Sequence, residues 1–340
     1  MKKAVSLKDI ANNVGVSTAL VSYVLNGKEK EARVSKEMAA KIRRAAKEMN
    51  YQPNLIARSL KYGKTKTIGL IVADISNPFF SSIARIIENK AKENGYTVVF
   101  GSSDEQLDKS ADLLNALINR QVDGLIVTPV ENSEEQIREI QEKGIPVVLI
   151  DRYFPKLNTN AVFINNYQSA YNATQHLIDN GYKKIGMVAY QSSLEHMKQR
   201  VKGYEKCLKD NGINASKDWL LKINYNHTET DFRDSLNAML ENNTIDSLLF
   251  ATVSLAVKSL HVINSRKIKI PDDFGLISFD ESDTFDFFYS PLTFIKQNLQ
   301  HLGSQSVQLL IDSINNNTTV IKKIEVPTTL VVRDSSKKSE

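Results

Sequence analysis

Ser6-Leu7-Lys8-Asp9-Ile10-Ala11-Asn12-Asn13-Val14-Gly15-Val16-Ser17-Thr18-Ala19-Leu20-Val21-Ser22-Tyr23-Val24-Leu25-Asn26 is the stretch from which the rest of the chain is read. A hydroxyl at Ser6 with an acid three residues on has the form of a helix amino-terminal cap, its carboxylate near the positive end of the helix dipole. Leu7, Ile10, Ala11 and Val14 then recur at helical spacing, Gly15 supplies the conformation of a tight turn, and Ser17 caps a second helix. In that helix Val21, Val24 and Leu25 share one face, which turns Ala19, Ser22, Tyr23 and Asn26 outward, with Thr18 in the first turn. The outward face is small, polar and aromatic and lacks the Glu/Lys mixture of a helix that only meets water. The expected order is helix, turn, helix.

A third helix is expected from Ser35 through Met38, Ala39, Ile42, Ala45, Ala46 and Met49, its apolar stripe closing a three-helix core. Lys36, Lys41, Arg43, Arg44 and Lys47 surround it; taken singly each is a solubilising cation, but beside a helix-turn-helix they suit the phosphate backbone. The charge split agrees. Residues 1–66 hold 15 Lys and Arg against 5 Asp and Glu, or +10, while the other 274 hold 29 against 34, or −5. A basic head on an acidic body points to nucleic acid at the amino end.

Next comes Pro53-Asn-Leu-Ile-Ala57-Arg58-Ser-Leu60-Lys61, about two turns opened by proline, which order only against a partner, then the connector Tyr62-Gly63-Lys64-Thr65-Lys66. Gly63-Lys64-Thr65 looks like the end of a phosphate loop, but Arg58 stands where its first glycine belongs and no strand precedes it, which excludes nucleotide hydrolysis. One cysteine, Cys207, excludes an internal disulfide framework. Met1-Lys2-Lys3 is followed by no apolar stretch of signal-peptide length, and no segment reaches the roughly 18 apolar residues of a membrane span, so a cytoplasmic protein without membrane contact is expected.

From Thr67 strand and helix alternate. Residues 68–73, 97–100, 124–127 and 147–150 read as short buried strands separated by helices near 78–94, 106–120 and 133–143. The alternation restarts at 161–164 and continues with strands at 185–189, 220–223, 247–251 and 275–279. Parallel sheets with helices on both faces, in two lobes around a crevice, are predicted.

Val14 to Gly27, Asn50-Tyr51-Gln52-Pro53-Asn54, Lys66-Thr67-Ile68-Gly69-Leu70-Ile71 and Asn77-Pro78-Phe79-Phe80 together resemble the LacI/GalR family of bacterial transcription regulators, over nearly the whole chain. Within it, Ser22 to Lys28, Arg33-Val34-Ser35, Arg120 to Asp123 and Asp151-Arg152 are most similar to the fructose-repressor (catabolite repressor/activator) subgroup. The resemblance implies an all-α helix-turn-helix head over 1–50, a hinge helix and linker over 51–66, a two-lobed body over 67–333 like a periplasmic binding protein, and a polar tail at 334–340. It implies a repressor, not an enzyme, that binds a palindromic operator in double-stranded DNA as a homodimer, needs no cofactor or metal, and answers to a sugar or sugar phosphate. Carried over by position, Thr18, Ala19 and Tyr23 meet base edges and Ser17, Ser22 and Asn26 meet phosphates. Leu60 matches the family's hinge leucine, which wedges into the minor groove, and is flanked by Ala57; from the sequence alone it is equally a core leucine of a longer helix. Ser6 and Arg33 complete the candidate DNA-binding set.

Ligands of open α/β lobes sit beyond the carboxyl ends of strands. Those loops carry Asp74, Ser76, Asn77 and Phe79, then Asp151-Arg152, then Asp280, while Arg200 matches a family arginine that grips effectors. His196 is a further candidate. Asn77 before Pro78 is equally a helix cap, and Asp151 an orienter of Arg152. Acids beside an aromatic face suit vicinal hydroxyls on a ring. Two arginines suit a sugar phosphate unless they pair with Asp151 and Asp280. Ala251-Thr252-Val253 departs from the family's Asn-Asp pair and weakens the neutral-sugar reading. Five histidines, without i, i+4 pairing or a cysteine partner, give no metal signature. Competing expectations are a sugar-phosphate enzyme on a doubly wound fold, opposed by the lack of a dinucleotide turn or nucleophile elbow, and an exported sugar receptor. Trp219 is expected near the second-lobe crevice, and the polar end lacks the leucine heptads that build tetramers.

Overall fold

The computed structural model describes residues 5–51, 63–241, 244–266, 268–316 and 320–338. The chain divides into two units, Met1–Thr65 and Lys66–Glu340. Ala57 and Leu60, with most of the expected hinge, lie outside the described residues.

In the first unit α1 (Leu7–Val14), α2 (Thr18–Leu25) and α3 (Lys36–Glu48) each begin at a serine. Ser6 closes a capping box, its Oγ accepting from the Asp9 amide at 3.3 Å while its own amide donates to Asp9 Oδ2 at 2.8 Å. Ser17 accepts from Leu20 N and Ser35 from Met38 N, both at 3.2 Å. Such caps contribute about 1 kcal/mol each. Gly15 ends α1 at φ 79°, a left-handed position where a side chain would be strained. Ile10, Val14, Val21, Val24, Ala39, Ile42 and Ala46 form the three-helix core.

The second unit holds two six-stranded sheets. Its strands are β1 (Thr67–Val72), β2 (Thr97–Ser102), β3 (Gly124–Val127), β4 (Val147–Ile150), β5 (Asn160–Ile164), β6 (Ile185–Tyr190), β7 (Leu220–Ile223), β8 (Ser247–Phe250), β9 (Gly275–Phe279), β10 (Thr293–Gln297), β11 (Lys323–Val326) and β12 (Thr328–Val331). The sheet orders are β11-β5-β4-β3-β1-β2 and β12-β10-β9-β8-β6-β7. All pairs are parallel except β10 with β12. Continuous apolar runs such as Gly124-Leu-Ile-Val127 fit strands buried on both faces.

The helices are α4 (Pro78–Glu93), α5 (Leu107–Asn119), α6 (Glu134–Glu142), α7 (Asn166–Asp179), α8 (Glu195–Asp210), α9 (Glu229–Glu241), α10 (Val253–Ser265) and α11 (Leu299–Asn316). Helix α11 packs on α4 and on β3 to β5 of the first lobe. Helices α7 and α8 lie against each other so closely that a Cβ on Gly203 would stand 2.2 Å from the Tyr167 carbonyl oxygen.

Two expectations need correction. Residues 161–164 do not open the second lobe: β5 pairs with β4 and belongs to the first sheet, with β11 on its other side. The chain therefore crosses between lobes three times, after β5, after β10 and between β11 and β12. The start of the polar tail is also not free. Asp334–Ser336 forms a 3₁₀ turn with Ser335 and Ser336 fully buried, Ser335 Oγ donating to Leu276 O and accepting from Thr293 N.

Candidate functional site

The outward face of α2 is as the pattern requires. Ser17, Thr18, Ala19 and Asn26 are exposed, Ser22 is half-buried, and Tyr23 presents 43% of its surface. An exposed aromatic ring on an otherwise small helix face can enter a groove and meet base edges. Asn26 Nδ2 donates to Ser22 O at 2.7 Å, so the phosphate candidates Ser22 and Asn26 are tied together. The Ser6 and Ser17 oxygens serve as caps first. Arg33 is exposed on left-handed backbone, φ 50°. Arg43 pairs with Glu29 at 2.6 Å, whereas Lys36, Lys41, Arg44 and Lys47 are exposed and form no ion pair among the described residues.

In the second unit the carboxyl ends of both sheets face a crevice of 510 Å³. Of the predicted residues it gathers Asn77, Arg152 and His196 on its wall, beside Phe80, Glu105, Glu131, Tyr190, Ser192, Tyr225 and Thr252. Asn77 Oδ1 accepts from Phe79 N at 3.1 Å and so caps α4. Ser76 is exposed and donates to Asp74 Oδ1 at 2.7 Å. Phe79 is buried and faces a neighbouring 390 Å³ hollow with Asp280 and Gln297, edge-on to Phe80, so the aromatic faces of the main crevice come from Phe80 and the tilted pair Tyr190 and Tyr225.

Buried Arg152 on the wall is backed by three further buried charges, Asp151, Arg200 and Asp280, which do not line it. Burial pushes Asp151 up to about 6, although Arg152 and Arg200 pull the other way. Asp280 is likewise raised by burial, opposed by Arg200 and by Gln297 Nε2, which donates to Oδ1 at 2.6 Å. Arg200 is 2% exposed: Nε donates to Asn166 Oδ1 at 2.8 Å, Nη1 to Ala251 O at 2.5 Å, and the guanidinium lies 3.9 Å from the Phe279 ring centre. It does not reach the crevice wall. Burial lowers Arg200, and the neighbouring acids counter it.

Arg152 does reach it, and is occupied. Its Nη2 and Nη1 donate to Glu105 Oε1 and Oε2 at 2.6 and 2.7 Å, and its Nε lies 3.5 Å from Asp151 Oδ2. Burial alone would lower this arginine, and Glu105 more than reverses that, leaving it raised. His196, 7% exposed, is held well below its usual pKa by burial and by Arg152 and Arg200, so it is neutral, and its buried Nδ1 has no hydrogen-bond partner among the described residues.

The residues that sequence reasoning missed are Glu105, Glu131, Tyr190 and Tyr225. All follow strands or end one, after β2, β3, β6 and β7, where the same rule of strand carboxyl ends applies. Glu131 Oε1 accepts from Ser192 Oγ at 2.6 Å and from Ser193 N at 2.5 Å, joining the lobes, and Tyr225 OH donates to Asp74 Oδ2 at 3.4 Å across the same gap. Trp219 does not lie at the crevice: it precedes β7, whereas the crevice loop with Tyr225 follows that strand. Among the described residues no group of His, Cys, Asp and Glu is arranged to hold a metal, and no helix is long and apolar enough to cross a membrane.

A capped helix-turn-helix and a bilobed crevice define a ligand-responsive DNA-binding regulator, and comparison with known proteins agrees. Residues 6–54 match the model for bacterial regulatory proteins of the lacI family, and residues 65–334 that for periplasmic binding proteins and the sugar-binding domain of the LacI family. The chain belongs to the LacI family, as a regulator of transcription and not an enzyme. It is 32% identical to a ribose operon repressor of Halalkalibacterium halodurans and 29% identical to the HTH-type transcriptional repressor PurR of Pasteurella multocida, with 98% of each chain covered in both cases. The fold is similar to the lac repressor dimer bound to operator and the anti-inducer ONPF, with a TM-score of 0.87 at 23% identity over 98% of this chain and 100% of that one.

Proposed function

We propose that two copies of this chain grip a palindromic operator through α2 and repress transcription in the cytoplasm, and that an uncharged, polyhydroxylated small molecule in the crevice sets the grip. The observation carrying the ligand class is the engagement of both arginines. Arg152 is held by Glu105 and Arg200 by Asn166 and Ala251, so neither offers a free fork to a phosphate. Tyr190, Tyr225 and Phe80 supply ring faces, and Glu131, Asn77, Ser192 and Thr252 supply hydrogen-bonding groups. That balance suits a sugar. The ribose operon relative supports the same class. The departure at Ala251-Thr252-Val253 is less of a loss than it reads, since Ala251 holds Arg200 by its carbonyl and Thr252 still lines the wall.

Pairing is supported by apolar surface on both lobes. Ile75 and Phe100, 38% and 59% exposed, border a hollow that also holds Leu70 and Val98, while Phe287 and Tyr289 are exposed on the second lobe. Patches of this kind mark protein contacts. The resemblance to the fructose-repressor subgroup rests on motifs, and the phosphosugar it suggests is the second reading.

Thermal-shift screening of neutral sugars against their phosphates, followed by operator binding with each hit, tests the proposal. Stabilisation by a neutral sugar that also changes operator affinity is expected. Stabilisation by phosphates alone overturns the ligand class, and absence of salt-dependent duplex binding overturns the DNA reading.

A further inference from the structure

We propose that Glu105 is a specificity-determining residue that stands in for a ligand anion on Arg152 and thereby closes the crevice to phosphorylated and carboxylated compounds. The inference rests on the crevice being the effector site.

Three features carry it. The first is geometric completeness: both terminal nitrogens of Arg152 are taken by one carboxylate, Nη1 also lies 3.4 Å from Pro129 O, and Nε faces Asp151. The two terminal nitrogens of a guanidinium hold one bidentate oxyanion, carboxylate or phosphate, at a time. An arriving phosphate must displace Glu105 before it can bind.

The second is dryness. The Arg152 side chain is 9% exposed and that of Glu105 12%. A displaced Glu105 would become a bare carboxylate in a poorly hydrated gap. The other acid on that wall is Glu131, and His196, held neutral, offers no compensating cation. Charged side chains on the wall thus count two acids to one base, and an anion would arrive next to both acids.

The third is the backbone that delivers Glu105. Asp104 and Glu105 are consecutive non-glycine residues in the left-handed region, at φ 50° and 58°. Such a pair persists only where its surroundings impose it. Here they do: Glu105 N donates to Ala73 O at 3.1 Å, Ser102 Oγ donates to Asp104 Oδ1 at 2.5 Å, and Lys109 pairs with Asp104. The turn aims Glu105 at Arg152, the one hydrogen-bond and ion-pair partner of its side chain among the described residues.

The test uses the full-length chain and inorganic phosphate as probe, read by calorimetry and thermal shift. Wild-type protein is expected to bind phosphate at the crevice negligibly. Glu105→Gln, which keeps the shape and removes the charge, is expected to gain at least about tenfold in phosphate affinity. The gain should vanish in Glu105→Gln/Arg152→Gln, which separates the crevice from the basic head. Glu105→Asp, whose carboxylate is one methylene short of the fork, gives a smaller gain and serves if the glutamine variant does not fold. A folded Glu105→Gln with no gain overturns the gate and leaves the crevice as the effector site, which the sugar screen tests independently. A gain that survives removal of Arg152 overturns the assignment to this wall.

Discussion

Asp151 and Asp280 are the same structural position built twice. Each is the first residue past a central strand, β4 in one lobe and β9 in the other, at φ 67° and 68°. The Asp151 amide donates to Val162 O on β5, and the Asp280 amide to Ile295 O on β10, at 2.9 and 3.0 Å. Val162 is the register partner of Ile150, and Ile295 of Phe279, so the two turns are equivalent in pairing as well as in shape. Both carboxyls are buried behind the crevice wall and raised by burial, Asp151 further by the charge of Asp280, and Arg200 counters the rise at both.

A pH signature follows. Asp151 has a folded pKa of about 6 against 3.8, so the folded protein holds a proton that the unfolded chain has released. Its stabilising contribution is fully present below the unfolded value and is lost as pH rises through about 6. Asp151→Asn should therefore gain stability relative to wild type between about pH 4 and pH 7, by on the order of 1–3 kcal/mol. Urea unfolding at several pH values measures it; a constant difference would refute the assignment.

Tyr23→Ala should weaken binding to the specific operator by about 1–3 kcal/mol and leave the unfolding free energy within roughly 0.5 kcal/mol, because the ring is exposed and supports no core. Lys41→Ala and Arg44→Ala should instead weaken specific and scrambled duplexes alike and reduce the salt slope by about one each. Anisotropy titrations on both duplexes across salt distinguish the two patterns.

Arg200→Ala is expected to destabilise the body by about 3–5 kcal/mol, since it strands Asp280 and leaves Asn166 Oδ1 and Ala251 O without their donor. Unresponsiveness to effector in that variant would then reflect unfolding, and a melting curve unchanged from wild type would show that the arginine is no support.

Gly203→Ala should cost about 1–3 kcal/mol by overpacking, and more than the methyl alone would suggest, because the obstacle is the Tyr167 backbone oxygen and not a movable side chain. It should also weaken effector binding: pushing α8 off α7 carries His196 and Met197 away from the wall they line.

Glu131→Ala removes both hydrogen bonds to the Ser192 and Ser193 segment and with them a clasp between lobes. Effector affinity should fall by about tenfold, and ligand-free small-angle scattering should report a larger radius of gyration. Unaltered scattering with unaltered affinity would mean that the clasp contributes nothing to closure.

The head was legible almost to the residue because its caps, its turn glycine and its apolar stripe are local signals within a few residues of one another. Strands β1, β3, β4, β6, β8 and β9 were legible as mostly apolar runs. Strands β10, β11 and β12 were not, because Thr293-Phe-Ile-Lys-Gln297, Lys323-Ile-Glu-Val326 and Thr328-Thr-Leu-Val331 are short and hold only two apolar residues each. Helix α11 carries Gly303 and many polar residues, and only its fit against Ile86 of α4 shows why the glycine is there. At the crevice, Asp151-Arg152 stood out by position after a strand. The partner that decides what Arg152 can do lies 47 residues away, delivered by a backbone conformation that Asp104-Glu105 does not advertise.

The three crossings between lobes have a mechanical outcome. A lone tether would let one half swivel and twist as well as nod, and the work done by a small guest would be scattered over all those motions. With three strands of chain sharing the joint, the first and last tied sideways by Asn165 to Glu325 and by Ser169 to Thr328, nodding is what survives. A small guest in the crevice is thus expected to spend its binding work on one stiff motion about a fixed axle.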